Sequence, residues 1–279
     1  MENQSEMKQI NESIWTVDDL LTREECDKLK NTAEKEGMDD IGSASTFSRS
    51  VYRDCLRAEL DDKSLADAVW KRLRDKVPQK VWVGNDHAEI PGVKNDEEMH
   101  GCWEPCGINH HWRVCCYPGR GHFSPHRDGD YIVNKNERSL LTINGYLTAL
   151  PPNCGGATRF MTDEQTASFK DEEGRFAPMP GSITHRVEAN KAGKAVIFFH
   201  GLMHDGEPLV DNSPPKWLFR TEVIYRRVQG TELKLSVEQM KARELMEKAK
   251  DLEVAGIFAE AARCYNQAFK LDETLEQSI

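Results

Sequence analysis

The segment Gly121-His-Phe-Ser-Pro-His-Arg-Asp-Gly-Asp130 decides how the rest of the chain is read. On an extended strand His126 and Asp128 lie two positions apart and point to the same face. Side chains placed this way supply adjacent positions on an octahedral metal, and a third ligand must come from elsewhere in the chain. Two histidines and one carboxylate leave three positions open, the arrangement suited to Fe(II) and O2 chemistry. A bare His-x-Asp equally describes a loop with two solvated polar groups, so the surrounding sequence has to carry the argument.

Three histidines are candidates for the third position: His185, His200 and His204. His204 stands in Leu202-Met-His-Asp-Gly206, just past the apolar run Ala195–Phe199, at a strand end where a cavity-facing ligand belongs. His200 is its main rival, four residues earlier. His185 reads as a structural or surface histidine within a strand.

From about residue 110 the chain is a series of short apolar or alternating runs, Trp112–Tyr117, Leu140–Leu147, Ala157–Met161, Gly181–Val187, Ala195–Phe199 and Trp217–Tyr225. Turn signals such as Pro118-Gly119, Pro151-Pro152, Gly155-Gly156, Pro180-Gly181 and Pro214-Pro215 separate them. Many short strands punctuated in this way predict a β-sandwich or jelly roll. The charged stretch 162–180 is long enough to serve as a lid. Upstream, spacing predicts a helix over 12–37, with Thr22 to Glu25 as a capping box. A second helix is expected over 64–76, capped by Ser64 and ended by Pro78, and a long polar loop over 84–107. After Arg227 the pattern is helical again, two helices joined near Gly256. The expected organisation is therefore a domain over 1–230, with a helical part at 12–80 and a β core at about 110–228, followed by a helical hairpin over 231–279.

Composition narrows the function classes. With 37 Lys and Arg against 47 Asp and Glu, the formal charge of −10 repels phosphate backbones and argues against a nucleic-acid partner. No apolar run approaches a membrane span, and the first residues lack the basic and apolar regions of a secretory signal, so the cytoplasm or nucleus is expected. The eight cysteines are then read as reduced thiols. Cys102, Cys106, His110, His111, Cys115 and Cys116 could be taken for a zinc site, but their spacing is looser than paired Cys-x2-Cys knuckles, and free thiols explain them better.

One apolar strand carries cations. In Lys216-Trp-Leu-Phe-Arg-Thr-Glu-Val-Ile-Tyr225, Lys216 and Arg220 share a face, and a cation aimed into a barrel needs an anionic partner. A dicarboxylate cosubstrate such as 2-oxoglutarate would supply one: Arg grips it with a fork, Lys with a point charge. Alternation alone fits equally well a solvated face of Lys216, Arg220 and Glu222 backed by Trp217, Phe219 and Val223.

The ordered set Tyr117-Pro-Gly, His126-x-Asp128, Gly155-Gly156-x-Thr158, His204-x-Gly206 and Lys216-Trp217 resembles the Fe(II)/2-oxoglutarate oxygenases related to prolyl 4-hydroxylases. The resemblance runs from about residue 14 to 227 and is specific from 112 onward. It implies a mainly β fold with flanking helices on a double-stranded β-helix (jelly roll) core. It also implies His126, Asp128 and His204 as iron ligands, Lys216 as the holder of the 2-oxoglutarate tail, and Tyr117 as a cofactor-pocket residue. The cofactors implied are Fe(II), 2-oxoglutarate and O2, with ascorbate as an accessory reductant. The implied reaction hydroxylates an unactivated C–H, of a prolyl residue in a protein or of a small molecule such as a free amino acid, and releases succinate and CO2. In the family the basic residue usually follows the distal histidine by about ten positions, whereas here Lys216 follows His204 by twelve, so Arg220 stays in contention.

The tail from Ala255 to Asp272 resembles the second half of a single tetratricopeptide repeat. One repeat cannot bury its own face, so these helices either pack on the domain or meet a protein partner or a second copy of the chain. Two other functions remain open on sequence grounds: a non-catalytic jelly-roll module whose tail recruits partners, and a metal isomerase or lyase needing no cationic anchor.

Overall fold

In the computed structural model the described residues are 6–41, 49–84, 86–162 and 169–278. They divide into two compact units with the boundary between Glu232 and Leu233. None of their helices is long and apolar enough to cross a membrane.

The first unit opens with strands β1 (Met7–Asn11) and β2 (Ile14–Val17), helix α1 (Arg23–Glu36), strand β3 (Asp39–Asp40), the single turn α2 (Arg49–Tyr52), strand β4 (Leu56–Asp61) and helix α3 (Lys63–Leu73). Strands β5 (Val81–Val83), β6 (Gly101–Ile108), β7 (His111–Tyr117), β8 (Phe123–His126), β9 (Ile132–Asn134) and β10 (Glu137–Tyr146) follow. The unit closes with β11 (Thr158–Met161), β12 (Ile183–Val187), β13 (Ala195–Phe199), β14 (His204–Gly206) and β15 (Lys216–Arg227).

All pairings between these strands are antiparallel. The large sheet runs β1-β2-β13-β10-β15-β7-β4-β3, with β6 also on β15, β5 on β6 and β9 on β10. A second sheet has the order β12-β11-β14-β8. Two antiparallel sheets with helices beside the larger one make this a jelly roll. Strand β13 lies between β2 and β10, and all five of its residues are buried, which is why it reads as an unbroken apolar run. On β15, Trp217, Phe219, Val223 and Tyr225 join the core that also holds Cys26, Leu29, Val69 and Leu73 from the helices. Gly145 pairs with Phe219 across the strands, and a Cβ there would stand 2.1 Å from the Phe219 ring; only glycine lets that ring lie flat on the neighbouring strand.

Several sequence expectations are corrected. The helix expected over 12–37 begins at Arg23, because Ile14–Val17 is recruited as a strand between β1 and β13. The capping box is in place, with Thr22 Oγ1 accepting from Glu25 N at 3.2 Å and Glu25 Oε2 from Thr22 N at 2.8 Å. Helix α3 is capped by Asp62, whose Oδ1 accepts from Leu65 N at 2.9 Å, and not by Ser64. The loop expected over 84–107 ends early, since Gly101–Ile108 pairs with β15 as a strand. Within 162–180, residues 163–168 lie outside the described residues. Beyond them Asp171 and Arg175 close a tight turn, and Phe176 N donates to Val51 O at 2.9 Å.

The second unit is a pair of helices, α4 (Val237–Val254) and α5 (Phe258–Leu271). Ser236 and Gln239 form a capping box at its start, and Gly256 takes the left-handed conformation (φ +77°) that turns the chain between the helices. The buried residues of the two helices are small, Ala242, Ala249, Ala261, Cys264 and Ala268, so the pair packs closely. Arg243 meets Asp272 in an ion pair.

Candidate metal centre

The two sheets enclose a cavity of about 260 Å³ lined from β4, β7, β8, β10, β11, β14 and β15 and from the turn α2. At its wall the small sheet sets His204 opposite His126 as register partners on β14 and β8. Asp128 lies two residues beyond the end of β8, not on the strand as its spacing suggested. Its own backbone positions it instead, through Asp128 N donating to His200 O at 2.9 Å. Ligand atoms of His126, Asp128 and His204 all fall within 4.8 Å of one another, and among the described residues they are the single group of this kind. Asp128 Oδ1 is 3.6 Å from His126 Nε2, and Asp128 Oδ2 is 3.6 Å from His204 Nε2.

The hydrogen bonds around these side chains fix their chemistry. His126 Nδ1 is 2.8 Å from Ser124 O and His204 Nδ1 is 2.9 Å from Leu202 O. A carbonyl only accepts, so each Nδ1 carries a proton and Nε2 is the nitrogen that faces the cluster. Burial, assisted by the neighbouring His126, pulls the His204 imidazolium down to about 4, so the ring is neutral at ordinary pH. Burial works against the Asp128 carboxylate, but Arg220, His204 and His126 outweigh it and hold it well below the usual carboxylate range. Arg220 Nε stands 3.3 Å from Asp128 Oδ2, and Thr142 Oγ1 donates to the same oxygen at 2.8 Å. Two imidazoles turned with Nε2 toward the cluster and one ionised carboxylate, each oriented by a second partner, fit a divalent metal with open positions.

The rival histidines lie elsewhere. His200 Nε2 donates to Ser139 O at 2.9 Å, and its contribution to the cluster is the backbone carbonyl that pins Asp128. His185 is on β12, beside the Thr184 hydroxyl at 3.1 Å.

The charged face of β15 is turned inward. Lys216 is 3 % and Glu222 1 % exposed, so the solvated-face reading is corrected; Lys216, Leu218 and Arg220 line the cavity, while Trp217 and Phe219 pack the core. The two cations differ in what they face. Arg220 is committed, to Asp128 and also to Glu222 Oε1 at 3.4 Å, which Arg113 holds at 2.6 Å. Lys216 has no ion pair among the described residues. Its ammonium sits 5.5 Å from the ring centroids of both Tyr117 and Tyr146, and burial lowers it to about 8. Beside it Gly156 (φ +79°) packs against Leu150 and Leu209, whose Cδ atoms would stand 2.7 and 2.9 Å from a Cβ there.

Several cavity residues had no sequence signal. Arg53, Arg57, Arg113 and Phe123 line it, and Phe123 stacks on His126 at 3.6 Å between centroids. All eight cysteines are free.

Residues 112–221 match the family model of the 2OG-Fe(II) oxygenase superfamily. No curated protein matches the chain. Among solved structures, a viral collagen prolyl hydroxylase from Paramecium Bursaria Chlorella virus-1 is similar, with 17% identity, TM-score 0.46 and coverage of 77% of this chain and 96% of that one. A Pseudomonas putida prolyl-4-hydroxylase gives 13% identity, TM-score 0.45 and coverage of 78% and 94%. A prolyl hydroxylase from Trichoplax adhaerens, in complex with a hypoxia inducible factor peptide fragment, gives 12%, 0.47, 76% and 84%.

Proposed function

We propose that the β core of this chain, which matches the 2OG-Fe(II) oxygenase family model over residues 112–221, holds Fe(II) through His126 Nε2, the Asp128 carboxylate and His204 Nε2, and hydroxylates an unactivated C–H. The observation that carries this reading is the convergence of those three ligands, within 4.8 Å, on one wall of a cavity. The same cavity contains a buried lysine without an ion pair among the described residues. When bound, iron and 2-oxoglutarate supply the oxidative chemistry: O2 is consumed, 2-oxoglutarate becomes succinate and CO2, and C–H becomes C–OH.

The protein's own part is binding, orientation and exclusion of water. Lys216 offers a desolvated ammonium for the distal carboxylate of 2-oxoglutarate, with the Tyr117 and Tyr146 rings as its walls. Arg220 serves the metal ligands instead, neutralising Asp128 and keeping it ionised and in place. Thr142 and the His200 carbonyl fix the same residue from its other sides.

A prolyl residue of a protein as substrate rests on the resemblance of the motif set to the prolyl 4-hydroxylase-related oxygenases. A small acid or free amino acid is a second reading, favoured by the cationic lining of the cavity. The test is succinate formation from 2-oxoglutarate with added Fe(II), in the full chain and in His126→Ala. Turnover in the first and its loss in the second is expected. Unchanged turnover in His126→Ala would refute the assignment, and a wild-type protein that binds no metal and forms no succinate would favour a non-catalytic module.

A further inference from the structure

The cavity carries more positive charge than the proposed metal and cosubstrate use. Its described lining has six cationic side chains, Arg53, Arg57, Arg113, Arg127, Lys216 and Arg220, against the carboxylates of Asp128 and Asp205, in a chain of formal charge −10. Asp205 is already taken by Arg159, whose Nε donates to it at 2.9 Å. Arg113 and Arg220 share Glu222, and Arg57 has Glu59 at 2.9 Å. Arg127 donates to the Gly201 carbonyl, and Lys216 is the residue assigned above to the distal carboxylate of 2-oxoglutarate.

Arg53 is then left over. Its Nε donates to Cys55 Sγ at 3.0 Å, and its Nη2 donates to Cys115 Sγ at 3.3 Å and to the Tyr117 hydroxyl at 3.5 Å. The guanidinium lies 4.2 Å over the Phe123 ring. No carboxylate among the described residues is within ion-pair distance of it. A largely enclosed guanidinium without an anion is costly. The Cys115 thiol offers partial compensation: the Cys55 hydrogen bond pulls it down to about 6, with burial opposing and Arg53 assisting. A thiolate is nonetheless a single point of charge and leaves the planar fork half used, whereas a carboxylate matches it in two places. The position is also suited to substrate. Arg53 stands at the hydroxyl end of Tyr117 while Lys216 lies over the ring of the same residue. On its other side a single ring, Phe123, separates it from His126.

From this arrangement we infer that the substrate carries a carboxylate that docks on Arg53, placing its reacting carbon on the Phe123 side, next to the metal ligands. This names the substrate class of the proposed oxygenase and rests on that reading. The carboxylate belongs either to a small free acid or amino acid, or to an acidic residue or C-terminus of a peptide.

The experiment uses the full chain with Fe(II) and measures 2-oxoglutarate-dependent succinate formation. Small carboxylic acids and free amino acids, L-proline included, are each compared with their neutral primary amides. Peptides are compared with free and amidated C-termini and with Glu against Gln. At least one acid is expected to raise turnover, with its amide at least tenfold poorer in kcat/KM, and the arm that responds identifies the source. In Arg53→Met the preference for the acid should fall below threefold, and Arg53→Lys should recover part of it. A merely structural role would lower acid and amide together. The inference is overturned if neutral members equal the acids, or if no acid raises turnover while substrate-independent turnover proceeds. It is also overturned if Arg53→Met raises the KM for 2-oxoglutarate and leaves the acid preference intact. Should Arg53→Met fail to fold, the wild-type comparison of acids with amides still decides. Absence of any 2-oxoglutarate consumption by the wild type would sink the oxygenase reading itself, and this inference with it.

Discussion

Replacing Lys216 by methionine separates the cosubstrate anchor from its rival. The ammonium is buried between two phenol rings, without an ion pair among the described residues, and burial lowers it from 10.5 to about 8. At ~1.4 kcal/mol per decade that gap corresponds to roughly 3 kcal/mol against the charged form in the ligand-free fold. Below pH 8 the whole penalty is present; between 8 and 10.5 the unfolded chain holds the proton that the folded one has lost, so this group makes stability rise with pH. Lys216→Met should therefore be more stable than wild type by up to about 3 kcal/mol at pH 7, and the advantage should vanish by pH 10.5. Binding shows the opposite cost. Losing a desolvated charge-assisted contact is worth about 2–4 kcal/mol, which raises the KM for 2-oxoglutarate roughly 30- to 1,000-fold. In the wild type the KM should climb as pH passes 8, because the free ammonium deprotonates. Denaturant melts across pH 7–10.5 and the KM for 2-oxoglutarate from succinate formation check both halves. A Lys216→Met KM within threefold of wild type, with a large rise in Arg220→Met, would refute the assignment and give the anchor to Arg220.

Thr142→Val removes a donor to Asp128 Oδ2 while nearly keeping volume; metal affinity, followed by Mn(II) titration, should weaken roughly tenfold. Gly156→Ala puts a Cβ 2.7 Å from Leu150 Cδ1 and 2.9 Å from Leu209 Cδ2 at a left-handed backbone position. It should cost about 2–3 kcal/mol, read as a lowered Tm.

The β core was legible because its strands are short, apolar and separated by Pro and Gly turns. The His-x-Asp pair was legible as a motif, but the extended-backbone reason for it does not hold: Asp128 lies past the end of β8 and is held by the His200 carbonyl. Ile14–Val17 was misread since a short, mostly apolar run suits a helical stripe as well as a strand, and the deciding partner, β13, is remote in sequence. The strand Gly101–Ile108 was missed because its Cys, Glu and Pro residues give no alternation, while its pairing with β15 is a tertiary fact. The inward turn of Lys216 and Arg220 was undecidable from alternation, which says that two sides differ but not which one meets solvent. Arg53 gave no signal at all: its neighbours Cys115, Tyr117 and Phe123 are assembled only when β7 and β8 come together.

Because His126 and His204 face each other across adjacent strands, any ion seated on both is also a cross-link between β8 and β14. It ties a short edge strand to its neighbour where few backbone hydrogen bonds exist to do so. Amide protons of these two strands should then exchange with deuterated solvent far more slowly in the metal-loaded protein, while those of the large sheet barely change. The small sheet is thus tightened by the same ion that its histidines collect.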